Sequence, residues 1–173
     1  NVRAGELFRL DSIAYLHYPA PMDSLLRAHH KERFLKEGDA FSVVNLSNEQ
    51  TRIETLMRNN GYYFYNAGYT TFRADTLQRR NFVQLQVVPV ADRPEKADHP
   101  WYIGRTYITI RHKENAPLTN HLERRNYSYQ FSGEKMPLRA NMWRHAITHR
   151  RGELYSLNDQ KVTLEKLGAM GVL

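Results

Sequence analysis

Two stretches of the chain repeat one another. "GDAFS" at 38–42 and "RIETLMRNNGYY" at 52–63 are answered by "GELYS" at 152–156 and "VTLEKLGAMGVL" at 162–173. The copies are degenerate: Gly38 and Gly61 lie 23 positions apart, Gly152 and Gly171 only 19. A repeat of this length means a modular array, in which each copy builds one small core. The first copy runs on past its glycine into two strand-like stretches and the second stops at Leu173, so the chain reads as a fragment of a longer array.

Around the first copy, "ELFRLDSIAYLH" at 6–17 is rich in aromatic and β-branched residues and reads as a strand closed by the prolines of "YPAP". Two alternations compete within it, Phe8 and Leu10 against Ile13 and Tyr15, so no face is assigned. Met22, Leu25, Leu26 and Leu35 predict a helix over 22–36 with Gly38 as its C-cap. A second helix is expected from Ser47, with Gln50 completing a capping box and Ile53, Leu56 and Met57 as its apolar stripe. Asn59, Asn60 and Gly61 end it. One long strand is then expected from Tyr62 to Thr76, a turn at "LQRR", and the cleanly alternating "FVQLQVV", with Val83, Leu85 and Val87 inward and Gln84 and Gln86 outward.

"ADRPEKADHP" at 91–100 reads as an exposed connector. Beyond it, "WYIGRTYITIRH" at 101–112 is a strand, and 113–136 is a polar stretch with a short strand at "NYSYQF". Pro137 opens a helix with Leu138, Met142, Trp143, Ala146 and Ile147 on one side, and a last helix covers 158–170. These readings give an α+β chain with domains at 1–92 and 99–173, the second carrying an insertion at 113–136 and lacking its last two strands. The apolar strand at 101–110 then needs a partner, either "NYSYQF" in a local hairpin or a strand of a second molecule in a dimer.

Composition narrows the chemistry. Without cysteine there is neither a disulfide framework nor a thiolate zinc site. The net charge of +7 sits almost wholly in the second part, with 13 Lys/Arg against 12 Asp/Glu up to Asp98 and 12 against 6 from His99 on. Arg139, Arg144, Arg150 and Arg151, with Arg124 and Arg125 upstream, form a basic docking surface or a solvated face. A nucleic-acid-binding module using this half and the tyrosines is the alternative, although "GYYFYN" lacks the basic-glycine-aromatic pattern of an RNA-recognition sheet. His145 and His149 have ligand spacing on a helix, without the glutamate or third ligand a zinc site needs. No phosphate loop, carboxylate pair or nucleophile elbow is present, so neither an enzyme nor a cofactor is expected.

The order strand-helix-helix-strand-strand, with "G..[FY]S" between the helices and "NNGYYFYN" stepping into the second strand, resembles the polypeptide-transport-associated (POTRA) domain of the BamA/TamA-type outer-membrane assembly family. "FRADT" with "VQLQVVP", "WYIGRTYITI", and "RGELYSLND" with "TLEKLG" extend the resemblance over nearly the whole chain. It implies tandem β-α-α-β-β units, each a three-stranded sheet with two helices on one face. It further implies a periplasmic location, a membrane barrel on the same parent chain, and unfolded β-barrel proteins and periplasmic accessory proteins as partners, with no nucleic acid. The second strand then offers a client-binding edge of Tyr62, Tyr63, Phe64, Tyr65, Tyr69, Thr70, Thr71 and Phe72, with Phe64 and Phe72 inward and the tyrosines outward. Those tyrosines either support one another as cross-strand pairs or line a surface for extended polypeptide.

Overall fold

A computed structural model describes residues 7–136 and 140–171. The chain forms two compact units, the first running to Arg58 and again over Tyr62–His99, the second comprising Asn59–Gly61 and Pro100 onward. None of the helices in the described residues is long and apolar enough to cross a membrane.

The first unit contains β1 (Arg9–Tyr15), α1 (Ala20–Ala28), α2 (Val43–Asn59), β2 (Thr70–Asp75) and β3 (Phe82–Pro89). Its sheet runs β1-β3-β2, with β1 parallel and β2 antiparallel to the central β3. Val83, Leu85 and Val87 are buried, Gln86 is exposed and Gln84 half-buried, as the alternation predicts. Met22 and Leu26 of α1 share one core with Ile53, Leu56 and Met57 of α2 and these three β3 residues, so both helices cover the same sheet face. The competing alternations of β1 are reconciled by a bulge. Leu10 pairs with Val83 and Ser12 with Gln84, leaving Asp11 as the extra residue. The bulge changes parity, so that Ile13 and Tyr15 join Leu10 against the core.

The helix boundaries differ from those expected. α1 stops at Ala28 and tightens into a 3-10 turn at His30–Glu32, because His29 and His30 stand where the apolar stripe would have to continue. α2 starts at Val43, where Ser42 O accepts the N–H of Leu46 at 3.1 Å, so Ser47 lies inside the helix. Val43 and Val44 are exposed and carry no periodic signal. The expected strand from Tyr62 to Thr76 shrinks to Thr70–Asp75. The connector at 91–100 is also structured: Ala97 is fully buried in the first core, and Arg93 makes two bonds to the Asp98 carboxylate at 2.7 and 2.8 Å.

The second unit contains β4 (Thr106–Ile110), β5 (Asn120–Arg124), β6 (Tyr127–Phe131), α3 (Ala140–Ala146) and α4 (Leu157–Ala169). Its sheet runs β4-β6-β5, with β4 parallel and β5 antiparallel to the central β6. "NYSYQF" does pair with the strand at 101–112, but as a directly adjacent parallel strand, with β5 between the two in sequence, rather than as a hairpin arm. The β5–β6 hairpin therefore holds the sheet positions that β2–β3 hold in the first unit, although it precedes the helices in the chain. β5 is missing from the sequence reading because "NHLER" has a single apolar residue, Leu122. Ile108, Tyr127, Tyr129 and Phe131 meet Trp143 and Ile147 in the core, whereas Met142 of the expected apolar face is exposed. Pro137, Leu138 and Arg139 lie outside the described residues. His149 falls past the end of α3, so it and His145 do not share a helix.

The repeat is legible in backbone hydrogen bonds. Leu10 N–H donates to Asp39 O (2.9 Å), Gly38 N–H to Leu10 O (2.7 Å) and Phe41 N–H to Phe8 O (2.8 Å). In the second copy Ile103 N–H donates to Glu153 O (2.8 Å), Gly152 N–H to Ile103 O (2.8 Å) and Tyr155 N–H to Trp101 O (2.9 Å). Gly38 and Gly152 have φ of 87° and 88°, the left-handed conformation that turns the chain back onto the start of β1 in the first unit and onto the segment leading into β4 in the second.

Candidate functional site

The four consecutive aromatic residues behind Gly61 form a compact turn. With φ of 96°, Gly61 reverses α2, and Tyr62 N–H reaches back to Met57 O at 3.1 Å. Tyr65 N–H then donates to Tyr62 O, and Asn66 opens a 3-10 turn at Ala67–Tyr69 by accepting the N–H of Gly68 on its side chain at 2.9 Å. A strand cannot form here because these amides are spent locally.

This corrects the faces assigned to the aromatics. Tyr62 and Tyr65 are buried, at 4% and 2% exposure, Phe64 and Tyr69 are half-buried, and Tyr63 is exposed. Tyrosine goes inside because its hydroxyl is satisfied there: Thr70 Oγ1 lies 2.9 Å from Tyr65 Oη and 3.3 Å from Tyr18 Oη. Burial holds the Tyr65 hydroxyl above the usual tyrosine range, and it does the same at Tyr18, where Tyr65 adds to it. Tyr62 is raised first by burial and then by the Asp98 carboxylate. Phe64 receives the Lys96 ammonium over its ring at 4.3 Å and the edge of Tyr63 at 4.9 Å.

What remains of the expected edge is β2 itself, whose one strand neighbour among the described residues is β3. Val90 N–H donates to Tyr69 O at 2.9 Å, which makes positions 69 and 90 a hydrogen-bonded pair. Antiparallel alternation then turns Thr71, Arg73 and Asp75 toward β3, and Thr70, Phe72 and Ala74 toward the open side. Thr70 is already used: its N–H donates to Ala67 O and its O accepts Gln50 Nε2 at 2.6 Å. The free template is therefore the N–H and C=O of Phe72 and Ala74. At the opposite edge, the first residues of β1 are covered by the 38–41 segment, with Arg9 Nη1 also bonding Gly38 O at 2.8 Å. Among the described residues the sheet thus presents one blunted edge and one bare one.

Of the basic set, Arg144 lies on α3, while Arg150 and Arg151 lie at the turn after it. Arg144 and Arg150 face one cleft, which Arg124 and Arg125 complete from the β5–β6 hairpin. Among the described residues no three His, Asp or Glu side chains converge in a way that would hold a metal.

No protein-family model matches the chain, and no curated protein matches it. Solved structures do. The crystal structure of Haemophilus influenzae BamA POTRA3-5 is similar over 95% of this chain and 51% of its own length, with a TM-score of 0.50 and 12% identity. The N-terminal domain of Omp85 from the thermophilic cyanobacterium Thermosynechococcus elongatus aligns over 97% of this chain and 88% of its own, with a TM-score of 0.35 and 6% identity. The chain has a POTRA-like α+β fold and spans about half the length of the first of these structures.

Proposed function

We propose that this chain belongs to the periplasmic POTRA region of an outer-membrane protein biogenesis factor. In this reading β2 binds unfolded β-barrel clients by strand addition, and the remaining surface docks accessory proteins. The observation that carries it is the bare edge at Phe72 and Ala74 on a POTRA-like sheet. A client's backbone satisfies such an edge whatever its side chains, as a factor handling many different strands requires. The action is non-covalent. A spacer role, in which the array only positions a barrel on the same parent chain, is the competing reading.

Thr70 is a poor place to test the edge, since its hydroxyl and both backbone groups serve the unit's own structure. Ala74 is exposed and turns its N–H outward. Ala74→Pro is expected to leave stability nearly unchanged and to weaken binding of an unfolded outer-membrane-type peptide about 3–10-fold, by removing one donor and crowding the approach. Arg73→Pro, one position earlier, removes a ladder bond to β3 and is expected to destabilise the unit instead. Peptide titrations on both variants, with circular dichroism and urea unfolding, separate the two effects. Unchanged affinity in folded Ala74→Pro leaves the spacer reading standing.

A further inference from the structure

Several arginines of the described residues meet carboxylates. Arg52 contacts Glu49 at 2.6 Å, Arg93 contacts Asp98 at 2.7 Å and Arg105 contacts Glu123 at 2.8 Å. Arg124, Arg125, Arg144 and Arg150 do not: among the described residues none of their guanidinium groups makes an ion pair, yet all four line one cleft of about 680 Å³ in the second unit. No carboxylate of the described residues lines it. Glu123, beside Arg124 in sequence, is held by Arg105 and by His121 at 2.9 Å. Glu153 is turned to the backbone N–H of Arg150 at 3.0 Å, so it caps the turn and leaves the guanidinium free.

Tyr127 and Tyr129 of β6, both buried, form part of the cleft wall. Burial holds the Tyr129 hydroxyl above its usual range, Tyr127 adds to this, and the Arg124 charge opposes both. We propose that this cleft is a binding site for a compact anion bearing two or more phosphate groups, gripped by Arg124, Arg125, Arg144 and Arg150.

The cleft's chemistry favours phosphate over an acidic peptide. Guanidinium forks match either oxyanion. A peptide, however, spreads at most one carboxylate over each ~3.3 Å of extended chain. A phosphate monoester concentrates a charge of about −1.5 to −2 and three acceptor oxygens in one group. Cations that converge from a hairpin turn and a helix end on a volume within the small-ligand range, ~300–1,000 Å³, suit the second geometry. The phosphate reaches the cleft either in a soluble molecule or on a lipid headgroup.

Both sources are tested on the full chain. Inorganic pyrophosphate is titrated by calorimetry, and co-sedimentation is measured with cardiolipin vesicles, whose headgroup carries two phosphates, and with phosphatidylcholine vesicles. Saturable pyrophosphate binding, weakened about tenfold or more in Arg124→Gln/Arg144→Gln/Arg150→Gln, supports the site with a soluble ligand. Binding to cardiolipin vesicles alone, lost in the same variant, supports it with a lipid ligand. Lys31→Gln/Lys36→Gln/Lys161→Gln removes the same charge from exposed positions away from the cleft lining and is expected to bind as the parent does. Equal loss in that control overturns the proposal, as does absence of binding in both assays. So does binding confined to single-stranded oligonucleotides or acidic peptides.

Discussion

Glu49→Ala is expected to lower the stability of the first unit by about 3–5 kcal/mol, the range for removing one partner of a buried ion pair. Glu49 has no exposed surface and Arg52 keeps 10% of its side chain exposed. The carboxylate holds three elements: it takes two donors of Arg52 on its own helix, the Tyr15 hydroxyl of β1 at 2.6 Å, and the Phe34 N–H at 2.9 Å from the segment that follows α1. Burial raises the Tyr15 hydroxyl, and the neighbouring Glu49 charge raises it further, so Tyr15 remains the donor. With alanine in place of Glu49, a guanidinium that already has Nη1 without a partner becomes an isolated buried charge. Glu49→Leu/Arg52→Met removes both charges and is expected to recover much of the loss. Urea unfolding of the three proteins measures this, and a cost below about 1 kcal/mol for Glu49→Ala would contradict the assignment.

Tyr129→Ala is expected to cost the second unit about 3–5 kcal/mol, as for other large aromatic residues cut down in a core. Tyr129 is 1% exposed, pairs with Ile108 across β4–β6 and with Leu122 across β6–β5, and belongs to the core that also holds Trp143 and Ile147. Tyr107, on the opposite face of β4, is 72% exposed, and its alanine variant is expected to fall within about 0.5 kcal/mol of the parent. The pair tests register as well as packing. A slip of one residue in β6 would bring Ser128 and Gln130 to the core face and carry Tyr129 away from it. Amide hydrogen exchange along β6 reads the difference: faster exchange from Tyr127 to Phe131 in Tyr129→Ala alone is the expected result.

The sequence makes legible the parts of the fold that rest on periodicity and on glycine. "FVQLQVV" alternates because one face of β3 is buried, and "GDAFS" and "GELYS" mark the same backbone turn because a φ near 87° favours glycine in both. Other features are decided by contacts distant in sequence. The bulge at Asp11 is invisible without the register of β3, and the burial of Glu49 depends on Tyr15 and Phe34, neither a helix neighbour. The run Tyr62 to Tyr65 has strand propensity throughout, but Gly61 and Asn66 pull it into consecutive turns, and Tyr65 turns inward because Thr70 and Tyr18 supply hydroxyl partners there. β5 has no apolar alternation, so only pairing with β6 defines it. Of the residues expected at the client edge, Phe72 turns its backbone to the open side of β2 and Tyr62 and Tyr65 belong to the core, while Ala74, outside the expected set, shares the orientation of Phe72.

Strand addition at β2 is tested most directly by residue-resolved amide exchange, with and without an unfolded outer-membrane-type peptide. The Phe72 and Ala74 amides face the open side, whereas those of Thr71 and Arg73 are engaged with β3 before any client arrives. The account predicts that saturating peptide slows exchange at Phe72 and Ala74 at least about tenfold, with little change at Thr71 and Arg73. Peptide that binds while Phe72 and Ala74 exchange at their free rate would contradict it.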